Sequence, residues 1–236
     1  MINEKLIRPE SIAVLGASNN ITKPGGKLLK NLIDNRYPGR LYAVNPRETE
    51  VQGLKSFAAV ADLPDVDLAV LAIPAQFCPE AVEELATRKN TGAFIVVSAG
   101  FSEAGEMGRL WEQQMAQTAD RAGATLIGPN CIGIMTPYHT SVFTTPIPPL
   151  WPQGCDFISG SGATAVFILE SGIPKGLRFS SVWSVGNSAQ TGVEEVLQYF
   201  DESYDPESSS KVKLLYLETI RNPDKLLFHA SSLIQK

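Results

Sequence analysis

Cysteine is scarce in this sequence, and what little there is forms no pattern. Cys78, Cys131 and Cys155 are odd in number and widely spaced, with no C-x-x-C pair among 236 residues. Neither a disulfide framework nor a zinc site is indicated, and the three read as buried free thiols. No metal-ligand set is expected. Long apolar runs are also missing: Leu68 to Pro74 is typical of the longest, far below the roughly 20 residues that span a bilayer. The first ten residues lack the apolar core and small-residue cleavage site of a signal peptide, so a cytoplasmic protein is expected. Basic residues do not cluster, and a net charge of −5 argues against nucleic acid or an anionic membrane as partner. Any anionic ligand has to be gripped locally, by helix ends and single basic side chains. Histidine is rarest of all, present only at 139 and 229.

With 44% hydrophobic and 19% charged residues, the chain has globular composition and length for two domains. Short Val- and Ile-rich runs alternate with helical periodicity, the pattern of βαβ units. Strands are expected near 11–15, 40–44, 67–73, 93–97 and 125–127, with helices near 26–35, 79–89 and 106–122. Prolines 137, 146, 148, 149 and 152 interrupt the pattern and mark a linker. Alternation then resumes, with strands near 155–158, 179–185 and 211–217 and helices near 162–171, 193–201 and 223–235. The expected fold is α/β: a Rossmann-like doubly wound parallel sheet over 1–136, a Pro-rich linker over 137–153, and a second flavodoxin-like α/β domain over 154–236 that reads as cut short.

Gly16-Ala17-Ser18 follows the first strand, where a doubly wound sheet offers backbone N–H groups to a pyrophosphate. The loop departs from G-x-G-x-x-G, since Ser18 and Ile21 replace the later glycines, and Gly16 alone could merely permit a turn. The second strand ends Val44-Asn45-Pro46-Arg47, with no carboxylate at its tip for ribose hydroxyls. Arg47 suits a phosphorylated ribose, although it reads equally as a solvated arginine. Pro74, Ser98-Ala99-Gly100 and Gly128-Pro129-Asn130 end the next three strands and face the same crevice, or, for Gly100, simply open a loop. In the second half Ser159-Gly160-Ser161-Gly162-Ala163 joins a strand to a helix, so hydroxyls, unpaired N–H groups and the positive helix end converge on one point. That is a phosphate cradle or a plain serine N-cap. Glu218 ends a later strand and, taken alone, reads as a surface glutamate.

In order, Gly16-Ala17-Ser18, Val44-Asn45-Pro46, Val70 to Pro74, Ser98 to Phe101, Gly128-Pro129-Asn130, Ser159 to Gly162, Ser184 to Asn187 and Tyr216-Leu217-Glu218 closely resemble the α subunit of ADP-forming acetyl-CoA synthetases and, more distantly, that of succinyl-CoA synthetase. The resemblance implies a ligase interconverting acyl-CoA, phosphate and a nucleoside diphosphate with acid, coenzyme A and triphosphate, through an acyl phosphate and a phosphohistidine. It implies coenzyme A at Gly16, Ala17, Ser18, Asn45, Arg47, Pro74, Ser98, Ala99, Gly100 and Asn130, phosphate at residues 159–163, and Glu218 orienting the phosphorylated histidine. Two departures stand out: Gly160 replaces a glutamine, and Gln190 stands where an acidic residue is common. Neither histidine lies in the Ser-His-Thr-Gly type of segment that carries the phosphoryl acceptor, which is expected to follow Lys236. Magnesium and ADP or ATP are expected only through an ATP-grasp β subunit or C-terminal domain, in a protein expected to be oligomeric; the chain by itself is expected to be inactive. A non-catalytic coenzyme-A-binding regulatory module and an NADP-dependent oxidoreductase remain as alternatives.

Overall fold

The computed structural model describes residues 2–236. After a short helix α1 (Glu4–Ile7), the first half alternates β1 (Ser11–Leu15), α2 (Pro24–Asp34), β2 (Arg40–Val44), a hairpin β3 (Glu50–Val51) and β4 (Leu54–Phe57), β5 (Leu68–Leu71), α3 (Cys78–Arg88), β6 (Ala93–Val96), α4 (Glu106–Arg121) and β7 (Thr125–Ile127). These strands form a seven-stranded sheet in the order β3-β4-β2-β1-β5-β6-β7. Its parallel members follow the doubly wound dinucleotide order, which reverses direction beside β1 and opens a crevice there. Residues of β1, β5 and β6 are buried along their whole length, as strands covered by helices on both faces must be. Five strands were expected; the β3–β4 hairpin was missed because two- and four-residue strands carry no readable alternation.

The second half contains β8 (Gly133–Met135), β9 (Thr140–Val142), β10 (Leu150–Ser159), α5 (Gly162–Gly172), β11 (Phe179–Ser184), α6 (Val193–Glu202), β12 (Lys213–Tyr216) and α7 (Pro223–Ile234). The sheet order is β12-β10-β11-β8-β9, with β12, β10 and β11 parallel and β8–β9 an antiparallel hairpin on β11. The stretch expected as a linker carries strands of its own. Residues 137–153 include the edge strand β9 and the start of β10, and their prolines are accommodated because Pro146, Pro148 and Pro149 fall between strands while Pro152 lies in the exposed outer part of β10. One buried apolar cluster runs from Val14 and Leu28 of the first half to Ile134, Trp183 and Leu226 of the second.

A backbone seam joins the two sheets at their carboxyl ends. Asn187 donates its amide to Pro129 O and Ala189 to Gly128 O, both at 2.9 Å. Gly186 has φ +54°, and a Cβ there would lie 2.1 Å from Pro129 O. Only glycine meets both demands. Elsewhere Asn31 Nδ2 of α2 donates to Val142 O at 2.7 Å. Gln190, read from sequence as a lost contact, also binds across the seam: Nε2 donates to Asp120 Oδ1 at 2.7 Å while Oε1 accepts from Leu126 N at 2.6 Å. Gly186→Ala is expected to cost at least ~2 kcal/mol through strain and overlap. At Gly53 (φ +82°, nothing within 4 Å of an added Cβ) alanine should cost only about 1–2 kcal/mol of backbone strain. Urea unfolding of both variants checks the ranking, and equal midpoints would show that the seam does not constrain the fold.

Candidate functional site

The loops that follow β6, β7, β10, β11 and β12 surround one cleft of about 600 Å³, with Asn130, Ser161, Asn187 and Glu218 on its rim and Ile132, Phe143 and Val193 among its apolar lining. Five strands from two sheets thus point their carboxyl ends at one volume, the place where open α/β folds hold ligands.

A network not anticipated from sequence braces this cleft. Glu103 Oε1 accepts from Gly100 N at 2.6 Å and Phe101 N at 3.1 Å, and its Oε2 accepts from Asn187 Nδ2 at 2.5 Å. Burial opposes its charge, but these hydrogen bonds outweigh it and hold the carboxyl below its usual range. Buried Glu112 accepts from Ser102 N at 3.2 Å and Asn187 Nδ2 at 3.0 Å. Arg109 also lines the cleft, and its guanidinium makes no ion pair among the described residues. The thiol of Cys131, at the same cleft, is pushed up to about 12 by burial, which disqualifies it as a neutral-pH nucleophile.

Ser161 caps α5, its Oγ accepting from Thr164 N at 3.3 Å. The two amides before it, at Gly162 and Ala163, have no acceptor within the helix and stand at the cleft with the positive helix end. Ser159 is turned inward, its hydroxyl donating to Ser161 O at 2.7 Å, so its role is to shape the turn. An added Cβ at Gly160 would lie 3.3 Å from Glu218 N, so this glycine gives close passage to the chain that carries Glu218. That chain is pinned from behind: buried Glu194 accepts from Arg221 N at 2.5 Å and Asn222 N at 3.0 Å, and Arg221 Nη1 donates to Ala189 O at 2.9 Å. Glu218 itself is exposed and makes no ion pair among the described residues.

A second cleft, of about 220 Å³, is lined by Gly16, Pro46 and Ile73, with Glu80 and Glu84 on its wall; of the remaining sequence candidates Gly16 alone lines it, the others lying on the loops that follow β1, β2, β5 and β6. Here the glycines work by proximity: a Cβ on Gly25 would lie 2.1 Å from Gly16 O, and one on Gly26 2.2 Å from Asn20 O. Helix α2 can therefore start against the loop. Asn45 Nδ2 donates to Ala17 O at 2.8 Å and its Oδ1 accepts from Arg47 N at 2.8 Å, which locks the two strand tips together. Ser18 Oγ accepts from Asn20 N at 3.1 Å, and Ser98 Oγ donates to Ile73 O at 2.6 Å. Pro74 O accepts from Phe77 N at 3.0 Å, while Ala99 is exposed beside Gly100. Arg47 is exposed and forms no ion pair among the described residues. The second strand's tip is not free of carboxylate: Glu48 contacts the side chains of Asn19 and Asn45, one step beyond where the sequence was searched for it.

Both histidines lie away from these clefts. His139 is buried, with Nδ1 2.8 Å from Ser141 Oγ and Nε2 2.8 Å from Leu6 O. His229 Nδ1 is 2.8 Å from Asp201 Oδ2, and Asp201 also accepts from Ser232 Oγ at 2.7 Å.

Residues 10–137 match the family model described as the CoA binding domain, and residues 152–236 that of the succinyl-CoA ligase like flavodoxin domain. The chain belongs to the CoA-binding domain family. It is 39% identical over 229 residues to a trans-feruloyl-CoA synthase from an unknown prokaryotic organism, covering 93% of this chain and 31% of that protein. To the α subunit of the ADP-forming acetate–CoA ligase I of Pyrococcus furiosus it is 34% identical, covering 99% of this chain and 50% of the subunit. A solved dinucleotide-forming acetyl-coenzyme A synthetase 1 of Ca. Korarchaeum cryptofilum, in complex with phosphate and ADP, superposes with a TM-score of 0.86 at 30% identity, covering 98% of this chain and 49% of that one. The chain thus spans between about a third and half of these relatives. No described helix is long and apolar enough to cross a membrane.

Burial lowers the pKa of His139 from 6.5 to about 4, partly offset by its bond to Leu6 O, so the ring is neutral in the folded chain at neutral pH. Its contribution is intact above about pH 6.5 and is lost as pH falls toward 4, because the unfolded chain takes up the proton first. The loss is on the order of 3 kcal/mol. Urea midpoints between pH 7 and 4.5 should fall less steeply for His139→Gln than for the wild type; parallel curves would show that another group controls the acid limb.

Proposed function

We propose that this chain is the coenzyme-A-binding and phosphate-binding portion of an NDP-forming acid–CoA ligase. The observation that carries the reading is the single cleft uniting Asn130, the Ser161 turn and Glu218. Coenzyme A would enter at the Gly16 cleft, with Arg47 free to meet a ribose phosphate, and extend past the tips of β5 and β6 so that its thioester reaches the larger cleft. There the Gly162 and Ala163 amides would hold inorganic phosphate, the nucleophile that displaces coenzyme A and leaves an acyl phosphate. The helix end favours this anion in a partly desolvated cleft, where its field counts for more than in water.

A carboxylate beside an anion cradle would by itself repel the anion. Glu218 makes sense there if an imidazole comes between them, one nitrogen bonded to Glu218 and the other aimed at phosphorus. Neither His139 nor His229 can supply that ring, so the phosphoryl acceptor would come from another segment, and ADP with magnesium from an ATP-grasp domain or subunit. A non-catalytic coenzyme-A-binding module is favoured by the same displacement of the two histidines.

Arg47→Ala should weaken coenzyme A by about 1.5–3 kcal/mol while leaving 3′-dephospho-coenzyme A nearly unchanged, as one charged hydrogen bond would require. Calorimetry with both ligands tests this, and equal losses would remove Arg47 from the site. Incubated with acyl-CoA, ADP and phosphate, the chain should make no ATP until the histidine segment and an ATP-grasp partner are supplied. Glu218→Gln should then lower phosphohistidine formation without altering coenzyme A affinity. ATP synthesis by the chain unaided would overturn the division of parts, and failure of the completed assembly to form phosphohistidine would favour the regulatory module.

A further inference from the structure

A third cavity, of about 360 Å³, lies at the opposite end of the first sheet, where Pro9 and Pro38 lead into β1 and β2 and residues 136–140 of the β8–β9 hairpin close the wall. Arg8 and Arg36 line it and no carboxylate does, in a chain whose net charge is −5. Neither guanidinium forms an ion pair among the described residues. The nearby Asp67 is paired with Lys5 at 3.5 Å and accepts from Glu10 N at 2.9 Å.

Several of the other polar groups of the walls have partners. Tyr37 gives its hydroxyl to Pro9 O at 2.5 Å, and both ring nitrogens of His139 are engaged. Arg8 is held in place, its guanidinium carbon 4.3 Å from the centroid of the Tyr138 ring. Arg36 has a fixed backbone at φ +54°, with its amide given to Ile33 O at 3.0 Å. The carbonyl end of α2 answers part of the Arg36 charge, but Arg8 follows a helix of four residues and has little of that help. One stacked guanidinium and a second without an ion-pair partner among the described residues, in a pocket with aromatic and proline walls, match a planar-headed anion carried on an apolar body.

We infer that this cavity is a second ligand site, for a small organic anion whose phosphate or carboxylate head lies between Arg8 and Arg36. It does not overlap either cleft assigned to coenzyme A and phosphate, yet the hairpin that walls it runs back through β8 to Ile132, which lines the main cleft.

The test is titration of the whole chain with phenyl phosphate and with benzoate, which share a ring and differ in head, with benzyl alcohol as the neutral control and ¹⁵N amide shifts as the map. At least one anion should bind saturably, shift the amides of Arg36, Tyr138 and Thr140, and persist in the presence of saturating coenzyme A. Binding should weaken about tenfold in Arg8→Gln and in Arg36→Asn, the loss of one charge-assisted hydrogen bond; asparagine tolerates the left-handed backbone at 36. Tighter phenyl phosphate assigns a phosphate head and tighter benzoate a carboxylate. The inference is overturned by no saturable binding of either anion, by binding that Arg36→Asn leaves unchanged, or by shifts confined to the Ser161 turn.

Discussion

The close passage of Gly186 against the carbonyl of Pro129 is the constraint on which the site depends. A doubly wound sheet gathers ligands at the carboxyl ends of its strands, and two such sheets in one chain would ordinarily offer two separate crevices. Here the seam between residues 128–130 and 186–189 sets the two carboxyl edges face to face. Each backbone hydrogen bond in it contributes only about 0.5–1.5 kcal/mol. Their effect is geometric: they fix where Asn187 stands, and Asn187 in turn bridges Glu103 and Glu112 from the other sheet.

The polar groups around both clefts divide into those that hold the loops and those left over. Asn45, Ser98, Ser159 and Glu103 satisfy neighbouring backbone groups, which stiffens the strand tips before any ligand arrives. Those left over among the described residues include the Arg47 and Arg109 guanidiniums, the Glu80 and Glu218 carboxylates and the leading amides of α5. Fixed loops presenting a few uncommitted charges and donors are what a preorganised polyanion site requires, since little ordering has to accompany binding.

Elements with a strong local signal were legible in the sequence. The ranges 11–15, 40–44 and 125–127 recur in the structure as β1, β2 and β7, because buried parallel strands read as short Val- and Ile-rich runs between turn residues. The β3–β4 and β8–β9 hairpins were not legible, their strands being two to four residues long and stabilised by pairing rather than propensity. Proline spacing suggested a linker because it reports where hydrogen bonding is interrupted, not where packing is. The Glu103, Glu112 and Asn187 network was also invisible, as its members are 75 and 84 residues apart and each looks like an ordinary polar residue in its own segment. Gln190 shows the limit from the other side: its departure from the family pattern suggested a missing contact, whereas its amide, able to donate and accept at once, bridges Asp120 and Leu126 as a carboxylate could not.

The two histidines carry the last step. In a chain proposed to take part in phosphoryl transfer, either could be nominated from sequence as the acceptor, and the surroundings of each oppose it. His139 has both nitrogens occupied inside the core, with no lone pair left to attack phosphorus. His229 does have a carboxylate on one nitrogen, the arrangement that orients a nucleophilic imidazole. That carboxylate, however, also accepts from Ser232 and Lys236, and the group joins α6 to α7 away from the phosphate cradle. Glu218 has the reverse character: at the cleft with the leading amides of α5, and without an ion-pair partner among the described residues. A carboxylate beside an anion-binding turn carries an electrostatic cost, and an imidazole supplied from another segment would offset that cost by donating a hydrogen bond to Glu218 on one side and accepting the phosphoryl group on the other. In the proposed reaction the chain would hold the coenzyme, the phosphate and the orienting group, and the transferring group would come from a segment entering the cleft between Glu218 and Ser161.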